Sequence, residues 1–235
     1  MAKVRGGAEV KKLAIVGTAT NYKETPWADK SYDIWGVSSL ITMPGVERLS
    51  AIFEMHPRGY WGKPEVLEVL NKYKGPCYMQ DHYAEIPTSV RYPIEEVNKA
   101  FYMPTMGEHL FVTNTVSFMF ALAYVQGYTH IETWGVYMEH ETEYSYQRPN
   151  CEFFVGFLHG KGVTVDIHGG DVLKAHFLYG YEEEAMLRKL LEDSKELIRA
   201  KQQLVSKFEE DKRAIAMQEG AIEYNKLLRK KWGDY

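Results

Sequence analysis

The stretch that decides the fold is KLAIVGTATN, Lys12–Asn21, near the start of the chain. Its first part, Lys12–Gly17, is a short apolar run in which Leu13, Ala14, Ile15 and Val16 follow one another. Such an unbroken run is typical of a strand that is buried on both faces of a parallel sheet. In α/β folds, ligands bind at the carboxyl ends of the parallel strands, often on the first such loop. The turn after this strand is therefore the first candidate ligand-binding segment.

This turn carries small polar side chains that can serve a ligand. Gly17 allows a close backbone approach, and the donors and acceptors are Thr18, Thr20 and Asn21. The turn has no GxGxxG pattern and no Gly-Lys-Ser/Thr, so it is neither a standard NAD site nor a Walker A loop. Binding of a nucleotide and an ordinary strand-exit turn both remain open.

Strand and helix signals alternate along the following chain. The further predicted strands are Ile34–Val37, Ala51–Glu54, Cys77–Met79, Ile131–Val136 and Gly162–Ile167. Three helices are predicted. The first begins at Pro64, the second spans Thr113–Gln126, and the third follows Pro149 and spans Cys151–His159. This alternation predicts an α/β fold, namely a Rossmann-like three-layer sandwich with a mostly parallel sheet. We expect this fold to span residues 1–181 and to form a nucleotide-binding domain. We expect Leu13–Gly17 and Ile131–Val136 to be central strands.

The segment 182–235 has a different character, because all nine prolines lie between Pro26 and Pro149. Apolar residues recur there at helical spacing, and twelve acidic residues balance twelve basic ones. The pattern predicts a long C-terminal helical extension, either one helix, as in a coiled coil, or a hairpin bent near Asp211 or Gly220. The stripe is longer than packing on one small domain requires, which favours a homo-oligomer; packing on its own domain remains the alternative.

The composition narrows the functional classes. The formal net charge of −4 argues against a dedicated nucleic-acid coat or membrane-surface protein. The first twelve residues lack the apolar region of a signal peptide, and no stretch is long enough to span a bilayer. The two cysteines, Cys77 and Cys151, cannot build a disulfide framework and are expected to be buried reduced thiols of a cytoplasmic protein.

Two further candidate segments follow a strand or open a helix. Glu54, His56 and Arg58 come at the end of a predicted strand, where the imidazole is suited to general-base catalysis and the guanidinium to phosphate binding. Asn114 and Ser117 lie at the start of the predicted buried helix, whose free N–H groups favour an anion. A hydrogen-bonded loop histidine and simple helix capping are the structural alternatives.

The connection between Gly135 and Pro149 is the densest candidate. It contains the proton-transfer candidate His140, the hydroxyl donors Tyr144 and Tyr146, and the ligand-binding candidates Glu141, Gln147 and Arg148. Long loops of this kind often carry function, and hydroxyl and guanidinium donors can stabilise a departing phosphate. Alternating carboxylates in a loop are too unspecific to predict a metal, and no metal or other cofactor is assigned.

The segments over residues 12–180 resemble an uncharacterised family of Rossmann-like proteins of tailed phages. The helix Ser117–Gly127 followed by the strand Ile131–Tyr137 is also similar to bacterial sialyltransferases that use CMP-sialic acid, and to a related group of pterin-pyrophosphokinase-like proteins. The sialyltransferase resemblance implies that the Gly17–Asn21 loop and Asn114 contact the nucleotide. It also implies that tyrosines after the Gly135 strand hold the phosphate and that a histidine is the base. The phage resemblance implies the host cytoplasm.

Two functions follow. The first is a glycosyltransferase-like transferase that uses a nucleotide-activated donor such as a nucleotide sugar, and the catalytic candidates are His140, Tyr144, Tyr146 and His56. The alternative is a non-catalytic phage protein that binds or sequesters a nucleotide and oligomerises through its C-terminal helix. Both require a small-molecule nucleotide ligand, and neither requires a membrane or a nucleic acid.

Overall fold

The computed structural model describes residues 10–102, 111–138, 144–170, 172–173, 178, 181 and 183–233. Of residues 144, 145 and 183–186, it describes only the backbone. The chain divides into two compact units, Met1–Lys174 and Ala175–Tyr235.

The described residues of the first unit form a sheet of seven strands. These are β1 (Lys12–Val16), β2 (Tyr32–Val37), β3 (Ala51–Phe53), β4 (Cys77–Met79), β5 (Ser89–Arg91), β6 (His130–Trp134) and β7 (Thr164–Ile167). The order is β5-β4-β3-β2-β1-β6-β7, and every neighbouring pair is parallel. The α/β fold and the interior positions of β1 and β6 are thereby confirmed. β5, a three-residue strand at the edge of the sheet, was not predicted from the sequence.

The described helices are α1 (Arg58–Trp61), α2 (Pro64–Lys72), α3 (Ile94–Ala100), α4 (Thr115–Val125), α5 (Tyr144–Gly160) and α6 (Glu183–Trp232). Two 3₁₀ segments, Thr20–Glu24 and Ser38–Thr42, follow β1 and β2. None of the helices within the described ranges is both long enough and apolar enough to cross a membrane.

Alternating side chains of the strands enter different cores, as the twofold period of a strand requires. Leu13 and Ile15 of β1 join the large core that contains buried side chains of α3, α4 and α5, and Cys151 lies in it. Ala14 and Val16 point to the other face and pack with Tyr22 and Leu40 of the 3₁₀ segments. A third core forms between β3, β4 and α2 on Ile52, Leu70 and Cys77. The sheet is therefore covered on both faces, as predicted for a three-layer sandwich.

The start of α5 differs from the prediction. The helix was predicted to start at Pro149, whereas α5 begins at Tyr144 and contains Pro149. Proline removes one backbone donor but tolerates the helical φ, so an early turn can extend before it. Contacts to the segment before α4 hold this turn: Thr113 Oγ1 donates to Tyr146 O at 3.4 Å, and Asn114 Nδ2 donates to Gln147 O at 3.2 Å. Just after Pro149, the Asn150 side chain accepts from Thr113 N at 3.0 Å and donates to Phe111 O at 2.8 Å.

Two glycines meet where the chain leaves β1 and β6. Gly17 N donates to Trp134 O at 2.8 Å, and Ala19 N donates to Gly135 O at 3.0 Å. A Cβ at Gly17 would lie 2.3 Å from Gly135 O, and a Cβ at Gly135 would lie 2.6 Å from Gly17 O. Gly135 also has a φ of +67°, which side chains rarely adopt. Only glycine at both positions allows the two strand exits to touch.

The second unit contains α6, a single helix of 50 residues. The helical prediction is confirmed, and the hairpin alternative is wrong, because the helix continues through Asp211 and Gly220. At 1.5 Å per residue it is about 75 Å long. Its apolar side chains are exposed: Leu197 is 71% and Leu204 is 70% exposed.

We expect Gly17→Ala to lower the free energy of unfolding by about 1–3 kcal/mol or more, since the new methyl group overlaps a fixed backbone carbonyl. Urea denaturation measures the change as a shift in midpoint at constant slope. Gly156→Ala in α5 is the control, because a Cβ there meets no atom of the described residues within 4 Å. The control should keep or raise stability, and equal stability of Gly17→Ala and wild type would contradict the close-contact interpretation.

Candidate functional site

A pocket of about 890 Å³ opens at the carboxyl edge of the sheet. Its lining comes from the segments after β1, β2, β3 and β6 and from the start of α4. The chain runs from β1 towards β5 on one side and returns to β6 on the other, so the strand order reverses between β1 and β6. Such a switch point is where open α/β sheets bind ligands. The volume lies in the range of small-molecule sites.

The turn after β1 reaches the pocket with only part of its predicted residues. Gly17 and Thr18 line the pocket, while Thr20 and Asn21 do not. The Asn21 side chain is instead a tether: its Oδ1 accepts from Gly135 N at 2.8 Å, and its Nδ2 donates to His168 O at 2.6 Å. Both ends of this nearly buried amide are therefore used to join three strand exits.

The start of α4 forms a second wall. Asn114 caps the helix, since its Oδ1 accepts from Ser117 N at 2.9 Å, and it lines the pocket together with Thr115 and Val116. The first N–H groups of a helix have no intrahelical partner, and the helix dipole places partial positive charge there. The geometry favours an anion at this wall.

Ser117 lies below that wall and is completely buried. Its Oγ is 3.0 Å from Asn114 Nδ2 and 3.4 Å from Cys151 Sγ. Burial raises the pKa of Cys151 to about 11, although its hydrogen bonds with Ser117 Oγ and with Asn114 Oδ1, to which the thiol donates, act in the opposite direction. The thiol is accordingly neutral and not a nucleophile, and Ser117 supports Asn114 from behind.

A histidine–glutamate pair forms the wall after β3. His56 lines the pocket with a side chain that is 53% exposed, whereas Glu54 is only 1% exposed. Glu54 Oε1 lies 2.5 Å from His56 Nδ1 and accepts from His56 N at 3.1 Å. Its other oxygen accepts from Ser38 Oγ at 2.5 Å. A carboxylate on Nδ1 fixes the proton there, which makes Nε2 the basic nitrogen of the imidazole.

The first turns of α5 contribute the remaining predicted residues that the structure describes. Tyr146, 56% exposed, and Gln147 line the pocket, and Gln147 O accepts from Asn114 Nδ2 at 3.2 Å. Arg148 is outside the lining, with Nε 3.7 Å from Glu152 Oε1. His140 and Glu141 lie outside the described residues, as does the side chain of Tyr144.

The two predicted arginines are both engaged elsewhere. Arg58 forms an ion pair with Glu85, and its guanidinium lies over the Trp61 ring. Among the described lining residues there is no lysine or arginine, so this part of the pocket offers an anion backbone N–H groups, hydroxyls and one imidazole.

Sequence reasoning missed several lining residues. They include Ser39 after β2 and Tyr60 of α1, whereas Tyr137, which also lines the pocket, lies in the predicted connection between Gly135 and Pro149. Tyr60 stacks near His56 with ring centroids 4.3 Å apart. Ser39 follows the end of β2 by two residues and Tyr60 follows the end of β3 by seven, so extending every strand exit by up to seven residues would have found them.

No protein-family model and no curated protein sequence matches the chain. Similar solved structures include the sialyltransferase CstII from Campylobacter jejuni in complex with the substrate analogue CMP-3FNeuAc. It is 14% identical with a TM-score of 0.47, over 67% of this chain and 80% of that chain. Another is the monofunctional α-2,3-sialyltransferase Cst-I from the same organism. It is 12% identical with a TM-score of 0.46, over 84% of this chain and 99% of that chain. This similarity concerns the fold alone.

Proposed function

We propose that the pocket binds a nucleotide-activated sugar through its phosphate and that the chain transfers the sugar to an acceptor hydroxyl. One observation carries the proposal: an anion-favouring helix start and an oriented histidine line the same pocket at the switch point of the sheet. The first supplies a place for a phosphate, and the second supplies a base.

The phosphate is assigned to the wall formed by Thr18 and the Asn114–Val116 segment. Backbone N–H groups there require no counter-charge from a side chain, which fits a lining without lysine or arginine among the described residues. The Tyr146 hydroxyl can add a further donor as the phosphate departs. These donors act on charge that develops when the leaving group separates, which is the most effective place for them.

The proton transfer is assigned to His56. In the reaction, the bond between the sugar and the phosphate breaks, and the acceptor oxygen forms the new bond to the sugar. Nε2 of His56 takes the proton of the acceptor hydroxyl, and the nucleotide leaves with the bonding electron pair. Glu54 holds the ring in the tautomer this step requires and stabilises the imidazolium that forms. His140 and Tyr144 keep their sequence-based assignment as further candidates.

We also propose that α6 pairs with a second copy of the chain. Leu190, Leu197 and Leu204 repeat every seven residues, and Leu191, Ile198 and Val205 repeat beside them. Seven residues fall short of two full turns of a straight α-helix, so residues that repeat every seven positions shift gradually around its surface. They stay on one contact line with a partner helix only when the two helices supercoil. The charges of 182–235 balance, so two copies meet without net repulsion.

The first prediction tests the anion wall with Asn114→Asp. Aspartate still caps α4, but its charge faces a bound phosphate; two like charges about 4 Å apart repel by ~4 kcal/mol near a protein surface. By calorimetry we expect CMP to bind wild type and to lose about tenfold or more in affinity in the variant. Cytidine, which has no phosphate, should bind both proteins similarly.

The control variant is Asn71→Asp, the same change on the exposed surface of α2. It should leave the CMP affinity unchanged. Equal loss for cytidine and CMP would indicate a damaged pocket rather than a phosphate site, and no binding of CMP, UMP, AMP or GMP by wild type would reject the proposed site.

The second prediction tests catalysis with His56→Gln. Loss of a general base usually costs ~10²–10⁴-fold in rate, so CMP release from CMP-sialic acid with a panel of sugar acceptors should fall by that factor. The CMP dissociation constant should change little, because the base is not assigned to the phosphate. His159→Gln, an exposed histidine at the end of α5, is the control. If wild type binds CMP but turns over no donor, the non-catalytic alternative is favoured.

The third prediction concerns the helix pair. Leu197→Asp places a charge in the apolar seam, and we expect light scattering to show a mass reduced to that of a single chain. Gln203→Asp adds the same charge on the opposite face and should keep the mass of wild type. A wild-type protein that is already a single chain at micromolar concentration would contradict the proposal.

A further inference from the structure

A group of metal-binding side chains lies on one face of β6 and β7, apart from the residues that line the pocket. His130 and Glu132 are two residues apart on β6 and therefore share a face, and Asp166 of β7 is in register with Glu132. His168, directly after β7, continues the same alternation. Two imidazoles and two carboxylates are thus gathered from segments that are more than thirty residues apart in the sequence.

The distances between the ligand atoms of His130, Glu132 and Asp166 suit a single ion, and His168 lies beside Glu132. His130 Nε2 lies 3.0 Å from Glu132 Oε1 and 3.8 Å from Asp166 Oδ2, and His168 Nε2 lies 3.3 Å from Glu132 Oε2. One atom each of His130, Glu132 and Asp166 lie within 4.8 Å of one another. Bonds of about 2.1 Å to a tetrahedral zinc ion place ligands about 3.4 Å apart. Small side-chain adjustments would close the group around an ion.

The carboxylate at the centre is held by groups that would not be ligands. Trp134 Nε1 donates to Glu132 Oε2 at 3.2 Å, and the Tyr32 hydroxyl donates to Glu132 Oε1. Metal-binding carboxylates are commonly oriented in this way by hydrogen bonds from the surrounding residues. Glu132 itself is largely buried, at 15% side-chain exposure.

An independent observation points to a missing partner. His168 Nε2 is a buried atom of a side chain that is 37% exposed; it makes no hydrogen bond with the residues that the structure describes, and it lies 3.3 Å from Glu132 Oε2, at ion-pair distance. The ring is fixed by stacking on Trp134, with centroids 3.7 Å apart and planes 10° from parallel. Buried ring nitrogens in folded proteins nearly always have a partner, and an unsatisfied one requires an explanation such as an ion.

We propose that His130, Glu132, Asp166 and His168 bind a divalent transition metal of the zinc type. Imidazole nitrogens select zinc, copper, nickel or iron over magnesium and calcium, which prefer oxygen ligands. The structure brings three of these ligands, His130, Glu132 and Asp166, within reach of one ion, and His168 beside Glu132 is the proposed fourth. Four protein ligands would complete a tetrahedral shell, which is typical of a structural rather than a catalytic site. The ion would join the edge strand β7 to β6. The inference does not depend on the proposed transferase activity.

The experiment begins with full-length protein that has been treated with a chelator and dialysed. Zinc titrated by calorimetry should bind with one equivalent per chain, and cobalt should give the strong visible absorption of a tetrahedral ion. Zinc should also raise the thermal midpoint, because an ion that binds only the folded state stabilises it. The cobalt spectrum should lack a thiolate band, since both cysteines are buried in the cores.

The variants are Asp166→Asn and His168→Gln, with His159→Gln as the control. Asp166 is 54% exposed, so its substitution should leave the fold intact, which near-ultraviolet circular dichroism of the chelated proteins checks. Both site variants should weaken zinc binding at least tenfold and lose the thermal shift, while the control matches wild type. Absence of stoichiometric binding by wild type, or equal binding by Asp166→Asn and wild type, would overturn the proposal and leave a hydrogen-bonded ion cluster.

Discussion

The contact between Gly17 and Gly135 is the constraint on which the site depends. It brings the exits of β1 and β6 within hydrogen-bonding distance, with Ala19 N on Gly135 O at 3.0 Å. The Asn21 side chain then links these two strand exits to the exit of β7, because it accepts from Gly135 N and donates to His168 O. Because three strand exits are fixed to one another, the pocket above them has a rigid floor. The walls come from α4, α5 and the segment after β3.

Much of this architecture could be predicted from the sequence because its signals are local. The unbroken apolar run Leu13–Val16 predicts a strand that is buried on both faces. Asn114 directly before an apolar helix predicts an N-terminal cap. β5 carries no such signal, since three residues at an edge need only one buried side chain. Pro149 was misleading because its conformational preference marks a helix start without excluding an earlier turn.

The candidate site was predictable in position but not in detail. Strand exits identify the edge of the sheet where Gly17, His56 and Asn114 meet, and the structure places all three around one pocket. Whether a side chain faces the pocket or the protein depends on partners far along the chain. Asn21 and Arg58 carry the right chemistry, yet Gly135, His168 and Glu85 occupy them. The cluster at β6 and β7 was invisible for the same reason, because sheet pairing creates it.

The described lining also implies how a phosphate would be recognised. Without an arginine or lysine among the described lining residues, affinity for a phosphate would come from oriented backbone dipoles. Such dipoles select a ligand by where its phosphate lies more than by its total charge. A pocket of this kind gains little from binding a ligand with additional negative charges. It is consistent with a donor that carries one phosphate beside the sugar, whereas polyphosphates usually meet clustered cations.

The two buried thiols give the molecule a pair of internal reporters. Cys77 lies in the core beneath α2 and Cys151 in the core beneath α4 and α5, on opposite faces of the sheet. Burial raises the pKa of Cys77 to about 12 and that of Cys151 to about 11, so neither reacts as a thiolate while its core is closed. Alkylation of each thiol therefore measures how often its own side of the sheet opens. Comparison of the two rates shows whether the layers separate together or one after the other.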